Sequence, residues 1–256
     1  MRETILEVRD LRVRYGKFEA VKGVSFKVGK GEIFGIVGES GSGKSTIAKA
    51  LIGLEAPSSG QITLNTQHSA LSTRHSLQMI FQDAVGSLNP RMTVRQTLSE
   101  VLLVHSKNRK IEESKNRKIL LLLSQVGLSP AVLDQYPREL SGGQCQRVSI
   151  ARALAVGPEI LIADEPVSAL DVSVQARILN LLRELRDSLS LTIVLIAHDL
   201  AVVRNVCDRI AVMERGRFVD FGDAEKVFSA PGSDYTKRLL DAVPDISREL
   251  ARRRDP

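Results

Sequence analysis

The stretch Gly38-Glu39-Ser40-Gly41-Ser42-Gly43-Lys44-Ser45-Thr46 constrains the fold of this chain more than any other. Its spacing is that of a phosphate-binding loop, with a glycine at the first and sixth positions and Lys-Ser after the second. An apolar run from Ile33 to Val37 leads into it. A helical pattern from Lys44 to Ile52 follows, with Gly53 as its stop. The glycines let successive backbone N–H groups turn inward around a polyphosphate, and the helix N-terminus adds the positive end of its dipole. Lys44 suits the β- and γ-phosphates, and the Ser45 hydroxyl suits a Mg²⁺ ion. A plain turn between strand and helix has no use for Lys-Ser at that place. The stretch implies a site for a nucleoside triphosphate.

Composition sets the frame around that site. A chain of 256 residues can bury a sizeable core, and 43% apolar with 26% charged residues is ordinary for a globular protein. No apolar run approaches the roughly 18 residues of a transmembrane helix. Arg2, Glu3 and Glu7 interrupt any leader-like segment at the N-terminus. Cys145 and Cys207 lie far apart without metal-ligand spacing, which points to a reducing compartment and no disulfide framework. The net charge of +6 comes largely from Lys107–Lys118 and Arg252-Arg253-Arg254. Neither cluster is interleaved with aromatics, so both read as solvated faces and no nucleic-acid partner is expected.

Along the chain, Ile5 to Val13 reads as a half-buried strand, with Ile5, Glu7 and Arg9 on one side. Ser25–Val28, Ile33–Val37, Gln61–Leu64 and Leu77–Phe81 read as further strands. After Gln82 the character changes. Thr93 caps a helix running to about Val104, a second helix ends at Gly127, and Ser129-Pro130 starts a third. Another helix follows Leu140-Ser141-Gly142-Gly143-Gln144 and runs to about Val156. Strand periodicity returns at Ile160–Ala163 and at Thr192–Ala197, with an amphipathic helix from Ser173 to Asp187 between them. Ile210–Met213 and Arg217–Phe221 read as a hairpin, Ala224–Phe228 and Tyr235–Ala242 as short helices, and the last dozen residues as frayed.

Polar groups cap several of these apolar strands. Asp164 ends one and is placed to hold Mg²⁺ opposite Ser45, while the adjacent Glu165 suits a base for the attacking water. Gln82 can bridge the metal sphere and that water, and His198 can reach the γ-phosphate. Tyr15, just upstream, could stack on a purine or simply pack at a strand end. Ser141 and its two glycines form a second anion-ready helix N-terminus.

This set of motifs resembles the ATP-binding-cassette ATPases. In that resemblance Tyr15 is the A-loop, Gly38–Thr46 the phosphate loop, Gln82 the Q-loop and Leu140–Gln144 the signature motif. Ile160–Glu165 is then the Walker B strand, Ser168-Ala169-Leu170-Asp171 the D-loop and His198 the switch histidine. Phe81-Gln82-Asp83, Ser87–Thr93, Ser141–Arg147, Asp164–Ser173 and Tyr235–Leu240 are similar to the ATP-binding subunits of oligopeptide, dipeptide and nickel importers. The chain departs from that branch in having Ser233-Asp234 before Tyr235 where His-Pro is usual, and in a short segment over 67–76.

The resemblance implies an α/β phosphate-loop NTPase core, an antiparallel β subdomain and an inserted α-helical subdomain. One ATP-binding domain is expected over 1–256, with its core at about 1–82 and 158–228. The helical part is expected at about 83–157 and a C-terminal extension at about 229–256. ATP and Mg²⁺ are expected at a composite site: Tyr15, Gly38, Glu39, Ser40, Gly41, Ser42, Gly43, Lys44, Ser45, Thr46, Gln82, Asp164, Glu165 and His198 from one chain. Asp171 is a further nucleotide-binding position, and Ser141, Gly142, Gly143 and Gln144 complete the site across the interface with a second ATPase, expected to be non-identical. Two transmembrane permease subunits and an extracytoplasmic solute-binding protein are the other implied partners. The implied place is the cytoplasmic face of the plasma membrane. Peptide import is the first expectation for its role, and uptake of nickel or a metal chelate the alternative. A cassette acting on nucleic acid is a distant third.

Overall fold

The computed structural model describes residues 2–66, 76–105 and 112–242. The expectations for 67–75, for the first part of the Lys107–Lys118 cluster and for the frayed tail lie outside the described residues. Among the described residues, nine strands build two sheets: β1 (Thr4–Tyr15), β2 (Phe18–Gly29), β3 (Ile33–Val37), β4 (Ser59–Leu64), β5 (Leu77–Ile80), β6 (Ile160–Asp164), β7 (Thr192–Ala197), β8 (Arg209–Glu214) and β9 (Arg217–Asp223). The helices are α1 (Lys44–Leu51), α2 (Val94–His105), α3 (Glu112–Gln125), α4 (Gly142–Leu154), α5 (Val172–Leu189), α6 (Leu200–Arg204), α7 (Ala224–Ser229) and α8 (Asp234–Asp241).

A small antiparallel sheet has the order β2-β1-β4, and a larger one has the order β5-β6-β7-β3-β8-β9. In the larger sheet β5, β6, β7, β3 and β8 pair in parallel, and β9 closes it antiparallel to β8. Parallel pairing puts the C-terminal ends of β3, β5, β6 and β7 along one edge, where ligands sit in open α/β sheets.

Both faces of the larger sheet are covered, and period-two alternation divides its side chains between two cores. Ile33, Leu161, Ala163, Ile193, Leu195, Ile210 and Val212 face the core shared with the helices of 94–154. Phe34, Ile36, Ile160, Ile162, Val194, Ile196, Ala211 and Met213 face the core shared with α1 and the small sheet. Helix α1 thus lies between two sheets, with Ile47 and Ala48 fully buried. Burying one such isoleucine is worth about 1.5–3 kcal/mol, so the position of α1 is strongly fixed. The same parity aims Asp164, in step with Ile160 and Ile162, at the α1 side.

Several elements differ from the reading of the sequence. Strand β1 is not one alternation: Leu6 and Val8 are buried, then Leu11 and Val13, so the parity shifts midway. A bulge between Val8 and Leu11 does this, with Asp10 at φ +42° and its N–H bonded to Ser25 Oγ at 2.8 Å. Strand β2 begins seven residues before the expected Ser25, because pairing with β1 carries the ladder through Gly23. Ser129-Pro130 starts only a single turn, Pro130–Val132, and Pro137 begins another such turn soon after. Helix α4 stops at Leu154 rather than about Val156, with Gly157 turning at φ +69°. Helix α6, begun by Asp199 accepting from the Ala201 N–H at 2.7 Å, was not foreseen.

Candidate functional site

The phosphate loop leaves the end of β3 and enters α1 through Gly43, whose φ of +108° favours glycine. A Cβ on Gly43 would meet the Ala20 carbonyl at 2.5 Å, and one on Gly38 would collide with the Met213 carbonyl. Nothing stands near Gly41 on the open side. No side chain caps α1, so its first N–H groups face the loop. The Gly216 N–H donates to the Ser42 carbonyl at 2.9 Å, tying the loop to the β8–β9 turn. Ser42 Oγ is buried and lacks a hydrogen-bond partner. Such an orphan is expected where a ligand supplies the missing acceptor.

Lys44 is buried, and its ammonium donates to the carbonyls of Gly38 at 2.7 Å and Glu39 at 2.8 Å. Burial holds its pKa below the usual lysine range, against the pull of Glu165 and Asp164. Ser45 Oγ donates to Asp164 Oδ1 at 3.0 Å, which joins α1 to the end of β6. Burial raises the Asp164 carboxyl above its ordinary range, and the bond from Ser45 opposes that. One hydroxyl and one carboxylate side by side are the hard oxygen donors that Mg²⁺ uses together with substrate phosphates. The residues present fit that ion.

Glu165 turns away from this pair. Its φ is +46°, held by its N–H on the Ile196 carbonyl at 3.0 Å and by Ser168 Oγ donating to its own carbonyl at 3.1 Å. A left-handed non-glycine residue costs about 1–2 kcal/mol, and neighbours that over-determine it are what sustain it. The turn brings Glu165 Oε2 to the Gln82 amide at 3.1 Å and to His198 Nδ1 at 3.6 Å. Gln82, Glu165 and His198 therefore gather in one group, from three strand ends, while Ser45 and Asp164 form another. Gln82 sits with Glu165 and not with the Ser45–Asp164 pair.

Tyr15, at the end of β1, is 43% exposed. Burial of the phenol raises its pKa. Asp171 begins α5 with its carboxylate exposed and not used as a cap. Ser141 begins α4 in a reciprocal box: its Oγ accepts from the Gln144 N–H at 3.2 Å, and Gln144 Oε1 accepts from the Ser141 N–H at 2.8 Å. A Cβ on Gly143 would meet Val174 Cγ1 at 2.7 Å, and one on Gly142 would meet Leu170 Cδ2 at 3.3 Å. The two glycines let α4 close on the start of α5. Among the described residues, no hydrogen bond joins 141–144 to the phosphate loop of the same chain.

The sequence did not point to Ala20 and Met213 as walls of the loop, since a backbone carbonyl contact leaves no residue-type signal. Ser168 is the residue that holds the Glu165 turn, and its short polar side chain close behind two carboxylates was the available clue.

The profile of the ABC transporter family matches residues 21–168. The chain is 46% identical over 267 residues to the oligopeptide transport ATP-binding protein OppF of Streptococcus pyogenes, covering all of this chain and 87% of that one. It is 45% identical to AppF of Bacillus subtilis, also an oligopeptide transport ATP-binding protein, over 94% of this chain and 79% of that one. Among solved structures, CbiO1 of Clostridium perfringens, part of the transporter complex CbiONQ, superposes with a TM-score of 0.81 at 29% identity. That match covers 98% of this chain and all of CbiO1. The dimeric cassette MJ0796 with ADP and phosphate gives 0.76 at 28% identity over 86% of this chain and 99% of its own. With the phosphate loop, the Ser45–Asp164 pair and the signature box in place on one α/β frame, this chain belongs to the ABC transporter family as one of its ATPases.

Proposed function

We propose that this chain is the ATP-hydrolysing subunit of a peptide importer, working at the cytoplasmic face of the plasma membrane. What carries the substrate class is the near full-length similarity to oligopeptide transport ATP-binding proteins of more than one organism. No helix among the described residues is long and apolar enough to cross a membrane. Translocation is therefore assigned to two partner permease subunits, with an extracytoplasmic solute-binding protein delivering the peptide. The core at about 1–82 and 158–228, the helical part at about 83–157 and the extension at about 229–256 belong to the same proposal.

In this reading the N–H groups of Gly38–Thr46 and the ammonium of Lys44 bind the phosphates of ATP, and Tyr15 lies against the base. Ser45 and Asp164 would hold Mg²⁺, while Gln82 stays with Glu165. The ion's chemistry is to neutralise charge on the β- and γ-phosphates. Glu165 accepts the proton of the attacking water; Gln82 orients it, and His198 donates toward the γ-phosphate. Phosphoryl transfer asks for positioning and charge stabilisation, which is what strand-end side chains on a rigid sheet supply.

Ser141–Gln144 act on the ATP of a second ATPase, which we take to be non-identical, and Asp171 is a further nucleotide-binding position. Support comes from their separation from the chain's own phosphate loop and from the dimeric state of MJ0796. The segment after Gln82, through about Thr93, carries the nucleotide state to the permease. Reconstitution of the chain with permease and partner ATPase tests the proposal. Peptide-loaded binding protein is expected to stimulate ATP hydrolysis. Stimulation by a nickel-loaded binding protein and not by peptide would replace peptide with metal uptake.

A further inference from the structure

The Glu39 N–H donates to the hydroxyl of Tyr235 at 3.0 Å, across 196 residues of chain. That N–H shares one trans peptide unit with the Gly38 carbonyl. In a planar trans unit the two point in opposite directions. On the far side the Gly38 carbonyl accepts from Lys44 Nζ at 2.7 Å. A single rigid plate therefore spans from Tyr235 to Lys44. Rotating that peptide would break both bonds together.

Tyr235 is itself firmly held. It is 6% exposed and lies in the first turn of α8, whose start is tied to β9 by one carboxylate. Asp220 accepts from the Gly232 N–H and the Ser233 N–H, each at 3.0 Å. Burial alone would raise the Asp220 pKa, yet these donors bring it below the usual range. Ser233 Oγ caps the helix on the Thr236 N–H at 3.0 Å, and Thr236 is fully buried. A Cβ at Gly232 would press on Asp220 Oδ1 at 2.7 Å, so the approach is close. Tyr235 thus reaches the loop from a fixed base.

We propose that Tyr235 is a positioning residue for the phosphate loop. Its hydroxyl clamps the Gly38–Glu39 peptide in the orientation that presents Lys44, and so ties nucleotide affinity to the docking of α8 on Asp220. The inference rests on the reading of Gly38–Thr46 as the ATP phosphate loop.

The test is ATP binding and steady-state hydrolysis by the full chain carrying Tyr235→Phe, which keeps the ring and removes the hydroxyl. Loss of one such hydrogen bond is expected to raise Kd and KM for ATP about three- to tenfold, with kcat at saturating ATP within about twofold. The Glu39 amide should exchange its proton faster. Asp220→Ala should weaken ATP binding too, and the double variant should be less than additive because both changes break one link. Lys44→Ala separates the two levels. ATP affinity lost in Lys44→Ala but unchanged in Tyr235→Phe, with Glu39 exchange also unchanged, would overturn the positioning role. ATP affinity unchanged in both would overturn the phosphate-loop reading and this role with it.

Discussion

The Gln82 amide donates to the Glu165 carboxylate at 3.1 Å, joining the end of β5 to the end of β6. Because β5 pairs in parallel with β6, the two ends rise together, and the left-handed turn at Glu165 swings its side chain toward Gln82 and away from Asp164. His198 stands on the other flank of the same carboxylate, 3.6 Å away. The two neighbouring acids therefore keep different company, Asp164 with Ser45 and Glu165 with Gln82 and His198.

Removing the flanking groups should slow chemistry without loosening ATP. Gln82→Ala is expected to lower kcat about tenfold and His198→Ala about a hundredfold, each with Kd for ATP within about twofold. Pre-steady-state hydrolysis and equilibrium binding on the same preparations check the split.

Asp164→Asn should change stability and metal use in opposite directions. Burial raises the folded-state pKa of Asp164 above its unfolded value, so the fold gains from the neutral carboxyl and loses as pH rises through the raised pKa. Asparagine keeps an acceptor for Ser45 without the charge. Its thermal stability should match wild type in acid and exceed it once pH has passed the raised pKa of the wild-type acid. Mg²⁺-dependent ATP affinity should fall about tenfold or more at every pH. Melting temperatures across a pH series, with and without Mg²⁺, read both effects.

Gly143 allows α4 to close against Val174 at the start of α5. Gly143→Ala is expected to destabilise the chain by about 1–3 kcal/mol through overpacking. Shaving the neighbour in Gly143→Ala/Val174→Ala should recover part of that loss. Denaturant unfolding of the two variants and of Val174→Ala measures the coupling. Equal loss in single and double variants would show that Val174 is not the obstacle.

Much of this was legible in the residues. The phosphate loop, the strands ending in Asp164 and His198, and the Thr93 cap on the helix that follows all rest on local rules of spacing and capping. Thr93 indeed accepts from the Gln96 N–H at 3.3 Å, and the Gln96 side chain returns to the Thr93 N–H at 2.9 Å. What sequence could not show depends on partners far along the chain. The length of β2 is set by pairing with β1, and the bulge at Asp10 by the need to return Leu11 and Val13 to the core. The Glu165 turn needs Ile196 and Ser168 to hold it. Polar contacts such as Gln82 with Glu165 emerge only when the strand order is known.

Glu165→Gln tests the account at its centre, because glutamine keeps the shape that Gln82 and His198 flank but cannot take a proton from water. The measurement is ATP turnover at saturating ATP and Mg²⁺, beside equilibrium ATP binding, for wild type and variant. Turnover should fall by about 10²–10⁴-fold while ATP affinity stays within about twofold. Turnover within a few-fold of wild type, with ATP still bound, would contradict it.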